Sequence, residues 1–99
     1  MTVQYKETQA QIFNHQHWIE VTDPEVLKNN YTAYLKKCGF NILQFNEHYF
    51  DKQGYTCFWL LAESHLAIHT FPENNTAYIE LSSCNEDKMD LFKKLTRLR

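Results

Sequence analysis

Two glycines and two prolines are all that this 99-residue chain has for turning sharply, and each of the four stands at a break in its hydrophobic pattern. Pro24 lies in Thr22-Asp23-Pro24-Glu25. There Asp23 is placed to cap a helix, Pro24 has the φ that a first turn needs, and Glu25 meets the positive end of the helix dipole. Val26, Leu27, Tyr31, Tyr34, Leu35 and Cys38 then recur at helical spacing, and Gly39 follows where helices leave through a left-handed residue. The spacing predicts a helix between Asp23 and Gly39.

The flanking stretches read as strands. Ala10 to Val21 alternates weakly through Ile12, His15, His17, Trp18, Ile19 and Val21 and predicts a first strand. Phe40 to Phe50 carries Phe40, Ile42, Leu43, Phe45, Tyr49 and Phe50, breaks at Asp51-Lys52-Gln53-Gly54, and is followed by a β-rich run from Tyr55 to Ala62. A strand-turn-strand hairpin results. Leu66, Ile68 and Thr70 alternate with His65, Ala67 and His69, so in a strand both histidines project from the same face. Pro72-Glu73-Asn74-Asn75 is a turn and Ala77 to Leu81 a last strand. From Glu86 to Leu98, Met89, Leu91, Phe92, Leu95 and Leu98 mark an amphipathic helix, acidic early and basic late. The order β-α-β-β-β-α predicts an α+β two-layer sandwich, a four-stranded antiparallel sheet with two helices on one face. Strand aromatics leave the other face partly apolar, and pairing of two sheets in a homodimer would cover it. Trp18, Trp59 and Tyr78 are read as core or dimer-face aromatics.

With hydrophobic residues at 43%, charged residues at 22% and no linker or repeat, residues 1–99 are expected to form one small domain. A net charge of -2 argues against nucleic acid, which calls for a basic patch; Lys93, Lys94, Arg97 and Arg99 instead complement a helix C-terminus. No stretch approaches the roughly 20 apolar residues of a membrane span, and MTVQYKETQAQ is too polar for a signal-peptide core. The chain is expected in the cytoplasm. Three cysteines without a C-x-x-C fit a reducing compartment, and Cys38 and Cys57 read as core thiols.

One segment gathers reactive groups. Glu63-Ser64-His65-Leu66-Ala67-Ile68-His69-Thr70-Phe71-Pro72-Glu73, followed by Ser82-Ser83-Cys84, supplies a hydroxyl, imidazoles, carboxylates and a thiol. Hydrolysis by a Ser/His or Cys/His pair has little support, since Ser64 stands in no G-x-S-x-G elbow and no partner Asp is marked. A metal could draw on His65, His69, His15 or His17 with Cys84, but the spacing matches no recognised ligand set, and no metal is expected. The third chemistry is a serine that modifies its own backbone.

The run E-S-H-L-x-I-H-T-aromatic-P-E, then a strand, then Cys, resembles the proenzyme of bacterial and archaeal S-adenosylmethionine decarboxylase, and the similarity runs from about Ile12 to Leu95 with the same element order. The resemblance implies self-cleavage between Glu63 and Ser64, with Ser64 converted to a covalent pyruvoyl group. Ser64 Oγ would attack the Glu63 carbonyl carbon, exchanging an amide for an ester, whose carboxylate is the better leaving group. A strained, well-placed peptide is needed for this. His69 matches the family's processing histidine, the base of the β-elimination, and Thr56 aligns with a serine that assists it. The pyruvoyl ketone would take the substrate's amine as a Schiff base and accept electrons as CO2 departs. Cys84 matches the cysteine that reprotonates the substrate α-carbon.

On the same resemblance Phe50 would stack on adenine and Glu73 would meet the ribose hydroxyls or the amine, although Phe50 also fits a core strand position. The sequence departs from the family in three places. Asn85 replaces the usual Gly after the cysteine, the Gly-x-His opening is missing, and the chain stops sooner after the last helix. The expected product is the aminopropyl donor for spermidine synthesis, made by a homodimer of cleaved protomers. Two rivals stay open: the same pyruvoyl machinery acting on ornithine or arginine, and an uncleaved paralogue serving as a binding or regulatory subunit. His15, His17 and His48 take no role, and His65 reads as structural.

Overall fold

The computed structural model describes residues 11–97. Ala10, predicted to open the first strand, and Leu98 and Arg99, predicted at the end of the last helix, lie outside the described residues. Helix α1 runs Pro24–Lys37 with Pro24 in its first turn. Asp23 caps it by position only: its carboxylate makes no capping bond, and its carbonyl accepts from Leu27 N at 3.0 Å. The other end closes as expected. Gly39 adopts φ +85°, its N–H donates to Lys36 O, and Phe40 N–H reaches back to Leu35 O, each at 3.0 Å. A Cβ at Gly39 would meet only Lys88 Cε at 3.7 Å, so the backbone angle, not crowding, is what selects glycine there.

Five strands follow, β1 Phe13–Ile19, β2 Ile42–Tyr49, β3 Tyr55–Leu61, β4 Ser64–Phe71 and β5 Thr76–Ser83. They form one antiparallel sheet in the order β1-β5-β4-β3-β2. The expected count of four is therefore corrected to five. The segment around the two histidines is a full strand at the centre of the sheet, joined to β3 by Ala62 and Glu63 alone. That hairpin contains neither Gly nor Pro, which is why the break is faint in the sequence; Ser64 takes the positive φ instead. Between β4 and β5 a single 3-10 turn, Pro72–Asn74, ends on Asn75 at φ 54°. Helix α2, Glu86–Arg97, is capped by Asn85, whose Oδ1 accepts from Lys88 N at 3.0 Å. Asn85 thus serves the helix start.

Alternation decides which layer each residue joins. Tyr55, Cys57, Trp59 and Leu61 of β3, Leu66 and Ile68 of β4, and Ala77, Ile79 and Leu81 of β5 are buried against Leu27, Tyr31 and Leu35 of α1 and Met89 and Phe92 of α2. Both helices therefore cover one face, as expected, with Tyr31 and Phe92 rings 6.1 Å apart between them. Trp59 is a core aromatic whose Nε1–H donates to Thr32 Oγ1 at 3.0 Å. Burial pushes the Cys38 and Cys57 thiols up to about 11 and about 12, which keeps both neutral.

The opposite face carries a row across the sheet, Trp18, Tyr78, His69, Thr56 and His48, each paired in register with the next. Among the described residues no helix covers it. Trp18 is 60% exposed and lies 5.1 Å from Tyr78 and 5.7 Å from Phe71, ring to ring. Phe58 stacks on His65 at 5.3 Å, so both histidines of β4 do lie on this face.

Candidate active site

The β3–β4 hairpin ends at the Glu63–Ser64 peptide, and three elements converge on it. Ser64 opens β4 at φ 146°, a sparsely populated region that costs a residue with a Cβ on the order of 1–3 kcal/mol. The Glu63 carbonyl accepts from Cys84 N at 3.1 Å and from Cys84 Sγ at 3.6 Å, both from the end of β5. The Glu63 carboxylate is held separately, by Asn41 N at 3.1 Å, Asn41 Nδ2 at 2.9 Å and Lys88 Nζ at 2.6 Å. Asn41 also accepts from Ala62 N at 2.9 Å, so the link between α1 and β2 grips the hairpin tip on two sides. Burial works to raise the Glu63 pKa, but the Lys88 ammonium and the Asn41 donors outweigh it and hold the carboxyl below its ordinary value.

Chemically, this arrangement can support attack from within. The nucleophilic oxygen is carried by the residue whose amide nitrogen would leave, and an N–H and a thiol already donate to the carbonyl oxygen on which negative charge would develop. Cys84 is exposed, unlike Cys38 and Cys57.

Four other expected site residues gather at the opposite end of the sheet. Thr56 Oγ1 and His69 Nδ1 are 3.3 Å apart across β3 and β4. Phe50, just beyond β2, is 51% exposed, and its ring centroid is 4.6 Å from that of His48, which pairs with Thr56. Glu73 is exposed in the 3-10 turn that follows β4. Ser64 and His69 both belong to β4, five residues apart, a rise of about 17 Å. One copy of the chain therefore brings Glu63, Ser64 and Cys84 together, and Thr56 and His69 together, but not the two groups to each other.

Asn41 and Lys88 hold the Glu63 carboxylate at the candidate site, and sequence reasoning missed both. Lys88 did leave a trace. A lysine in the first turn of a helix opposes the dipole, and one placed directly after Glu86 and Asp87 suggests a partner elsewhere. Asn41 carried no signal, since its role depends on two loops meeting.

Among the described residues no three of His, Cys, Asp or Glu group as metal ligands, and no helix is long and apolar enough to cross a membrane. The model of the S-adenosylmethionine decarboxylase family matches residues 12–98. The chain belongs to that family. S-adenosylmethionine decarboxylase proenzymes are similar to it from Prochlorococcus marinus (strain MIT 9313), 39% identical over 71% of this chain and 56% of the relative, and from Brevibacillus brevis (strain 47 / JCM 6285 / NBRC 100599), 38% identical over 67% and 50%. A proenzyme of the same name from Methanococcus vannielii (strain ATCC 35089 / DSM 1224 / JCM 13029 / OCM 148 / SB) is 40% identical over 52% of this chain and 43% of its own length. The chain spans about half the length of the curated relatives it matches. The crystal structure of the adenosylmethionine decarboxylase from Aquifex aeolicus VF5 shares the fold, with a TM-score of 0.60 at 24% identity over 74% of this chain and 64% of that one.

Proposed function

We propose that this decarboxylase-family chain is a proenzyme that cuts itself between Glu63 and Ser64 and then decarboxylates S-adenosylmethionine, in the cytoplasm, to supply the aminopropyl donor for spermidine synthesis. The observation that carries the reading is the Glu63–Ser64 junction, a positive-φ serine following a carbonyl that accepts from Cys84 N and Sγ. Family membership and the relatives' names support the substrate, and they give no support to ornithine or arginine.

Self-cleavage balances from the chain's own atoms plus water. Ser64 Oγ adds to the Glu63 carbonyl carbon while Cys84 N–H donates to the oxygen. The C–N bond then breaks and the nitrogen gains a proton, which leaves an ester. A base removes the Ser64 Cα proton, the Cβ–O bond breaks, and Glu63 departs as a free α-carboxylate. The dehydrated residue takes up water, loses ammonia and becomes the pyruvoyl terminus of β4. The donor set suits that group, since an exposed thiol lies at the junction against the Glu63 carbonyl. When formed, the pyruvoyl group supplies an electrophilic ketone and an acceptor for the electron pair freed with CO2. Cys84 then holds the proton that the substrate α-carbon regains.

Thr56 and His69 reach the junction only through a second copy. Two sheets apposed open face to open face about a two-fold axis that lies between them and crosses the strands set the His69 end of one against the Ser64 end of the other, and they cover Trp18, Phe58 and Tyr78 as well. In that pairing Phe50 and Glu73, which share the His69 end, border the same site, Phe50 offering a flat face to adenine and Glu73 a carboxylate to the ribose hydroxyls or amine.

Intact mass of the purified chain tests the reading, together with borohydride trapping and release of labelled CO2 from S-adenosylmethionine, ornithine and arginine. Two fragments meeting at 63/64, a reducible keto terminus and CO2 from S-adenosylmethionine alone are expected. A persistent 11.9 kDa species with no trapped product overturns it.

A further inference from the structure

The processing chemistry assigned above explains the carbonyl of Glu63 but not its side chain, which carries the densest polar contacts at the site. Three donors from two distant segments meet one carboxylate: Asn41 N and Nδ2, and Lys88 Nζ at 2.6 Å. The Glu63 side chain is 14% exposed and that of Lys88 25%, so the pair is largely withdrawn from water. Three ion pairs occur among the described residues, and this one alone ties α2 to the hairpin; the other two share Lys28. A hairpin tip has no structural need for such a clamp, since Ala62 N and the Cys84 N–H already tie the backbone on both sides.

We propose that Lys88, assisted by Asn41, is a positioning residue for self-cleavage, holding the Glu63 side chain so that its carbonyl stays against Cys84 and offsetting the negative charge that Glu63 acquires when it leaves. The inference rests on the self-processing reading. In the elimination step the Cβ–O bond of Ser64 breaks and its electron pair departs on the Glu63 α-carboxylate, while the Cα proton goes to the base. Glu63 then becomes a chain terminus with two carboxylates. Lys88 is the cation that touches that residue, and its Nζ is set at the end of α2 nearest the junction by the Asn85 cap. The clamp acts twice. Before cleavage it limits rotation about the strained peptide, and afterwards it keeps the new terminus at Asn41, clear of the pyruvoyl ketone.

The balance of charges makes the effect specific. Arginine at position 88 preserves the cation, and glutamine at position 63 preserves the shape while removing the charge that Lys88 grips. A charge-assisted hydrogen bond of this kind is worth on the order of 10- to 100-fold in a rate to which it contributes. The experiment follows fragment appearance by intact mass after rapid folding of the full chain, for wild type, Lys88→Met, Lys88→Arg, Glu63→Gln and the Glu63→Gln/Lys88→Met pair. Thermal melts of each uncleaved species serve as the folding control. Lys88→Met is expected to slow cleavage about 10- to 100-fold while remaining folded at the assay temperature, Lys88→Arg to recover most of the rate, and Lys88→Met to add nothing once Glu63 is glutamine. Cleavage of Lys88→Met at the wild-type rate, or equal slowing in the glutamine background, overturns the positioning role and leaves self-cleavage standing. A wild-type chain that never cleaves overturns both.

Discussion

Replacing Ser64 by alanine and by glycine gives two chains that cannot form the ester, and their difference in stability measures the strain at the junction directly. Ser64 sits at φ 146°. A side chain with a Cβ costs on the order of 1–3 kcal/mol in such a region, and glycine escapes that cost. Glycine gives back roughly 0.5–1 kcal/mol through the greater freedom of its unfolded chain. The glycine variant should therefore be the more stable by about 1 kcal/mol, which for a domain of this size is about 4–8 °C in Tm. Thermal unfolding of the two variants by circular dichroism, at matched concentration so that any dimerisation contributes equally, reads the difference. An alanine variant that melts at or above the glycine variant refutes the claim that backbone strain at residue 64 primes the peptide.

Other outcomes follow from the same geometry. Cys84→Ala keeps the backbone N–H on the Glu63 carbonyl, so fragments should still appear, while CO2 release from the processed protein falls by about 100-fold or more; uncleaved Cys84→Ala would move the thiol into processing instead. Thr56→Val removes the hydroxyl 3.3 Å from His69 and should slow cleavage about 2- to 10-fold, with Thr56→Ser near wild type, as fragment kinetics would show. Phe58→Lys places a charge on the open sheet face and should give a monomer by light scattering that processes poorly; an unchanged dimer would place the interface elsewhere. In the uncleavable Ser64→Ala background, the folded Glu63 carboxyl has a lowered pKa, so its stabilisation is complete above the unfolded carboxylate range and disappears as pH falls through the folded value. Tm plotted against pH should accordingly drop less steeply on the acid side in a Ser64→Ala/Lys88→Met chain.

Much of the fold could be read from local chemistry. Pro24 and Gly39 bracket α1 because each residue type answers a backbone demand made within a few residues, and the acidic-to-basic run of α2 answers its own dipole in the same way. The fifth strand was missed because Ala62 and Glu63 form a hairpin without Gly or Pro, the left-handed angle falling on a serine that looks unexceptional in a string of letters. Asp23 shows the reverse error, a good capping residue whose carboxylate is not used.

The site divides along the same line. The reactive groups proposed for it, Glu63, Ser64, His69 and Cys84 in one stretch of sequence, could be picked out because reactive side chains keep their chemistry in any setting. Their grouping was not. Strand geometry spends about 3.3 Å on every residue, so His69 is carried to the far end of β4 from Ser64, while Cys84, 20 positions beyond Ser64, is folded back against the Glu63 carbonyl by the β4–β5 pairing. Neighbourhood along the chain determined which groups are available. Hydrogen-bond register and the meeting of Asn41, Lys88 and Cys84 at one hairpin tip decided which of them touch, because only the folded sheet brings segments so distant in sequence to within a bond's length.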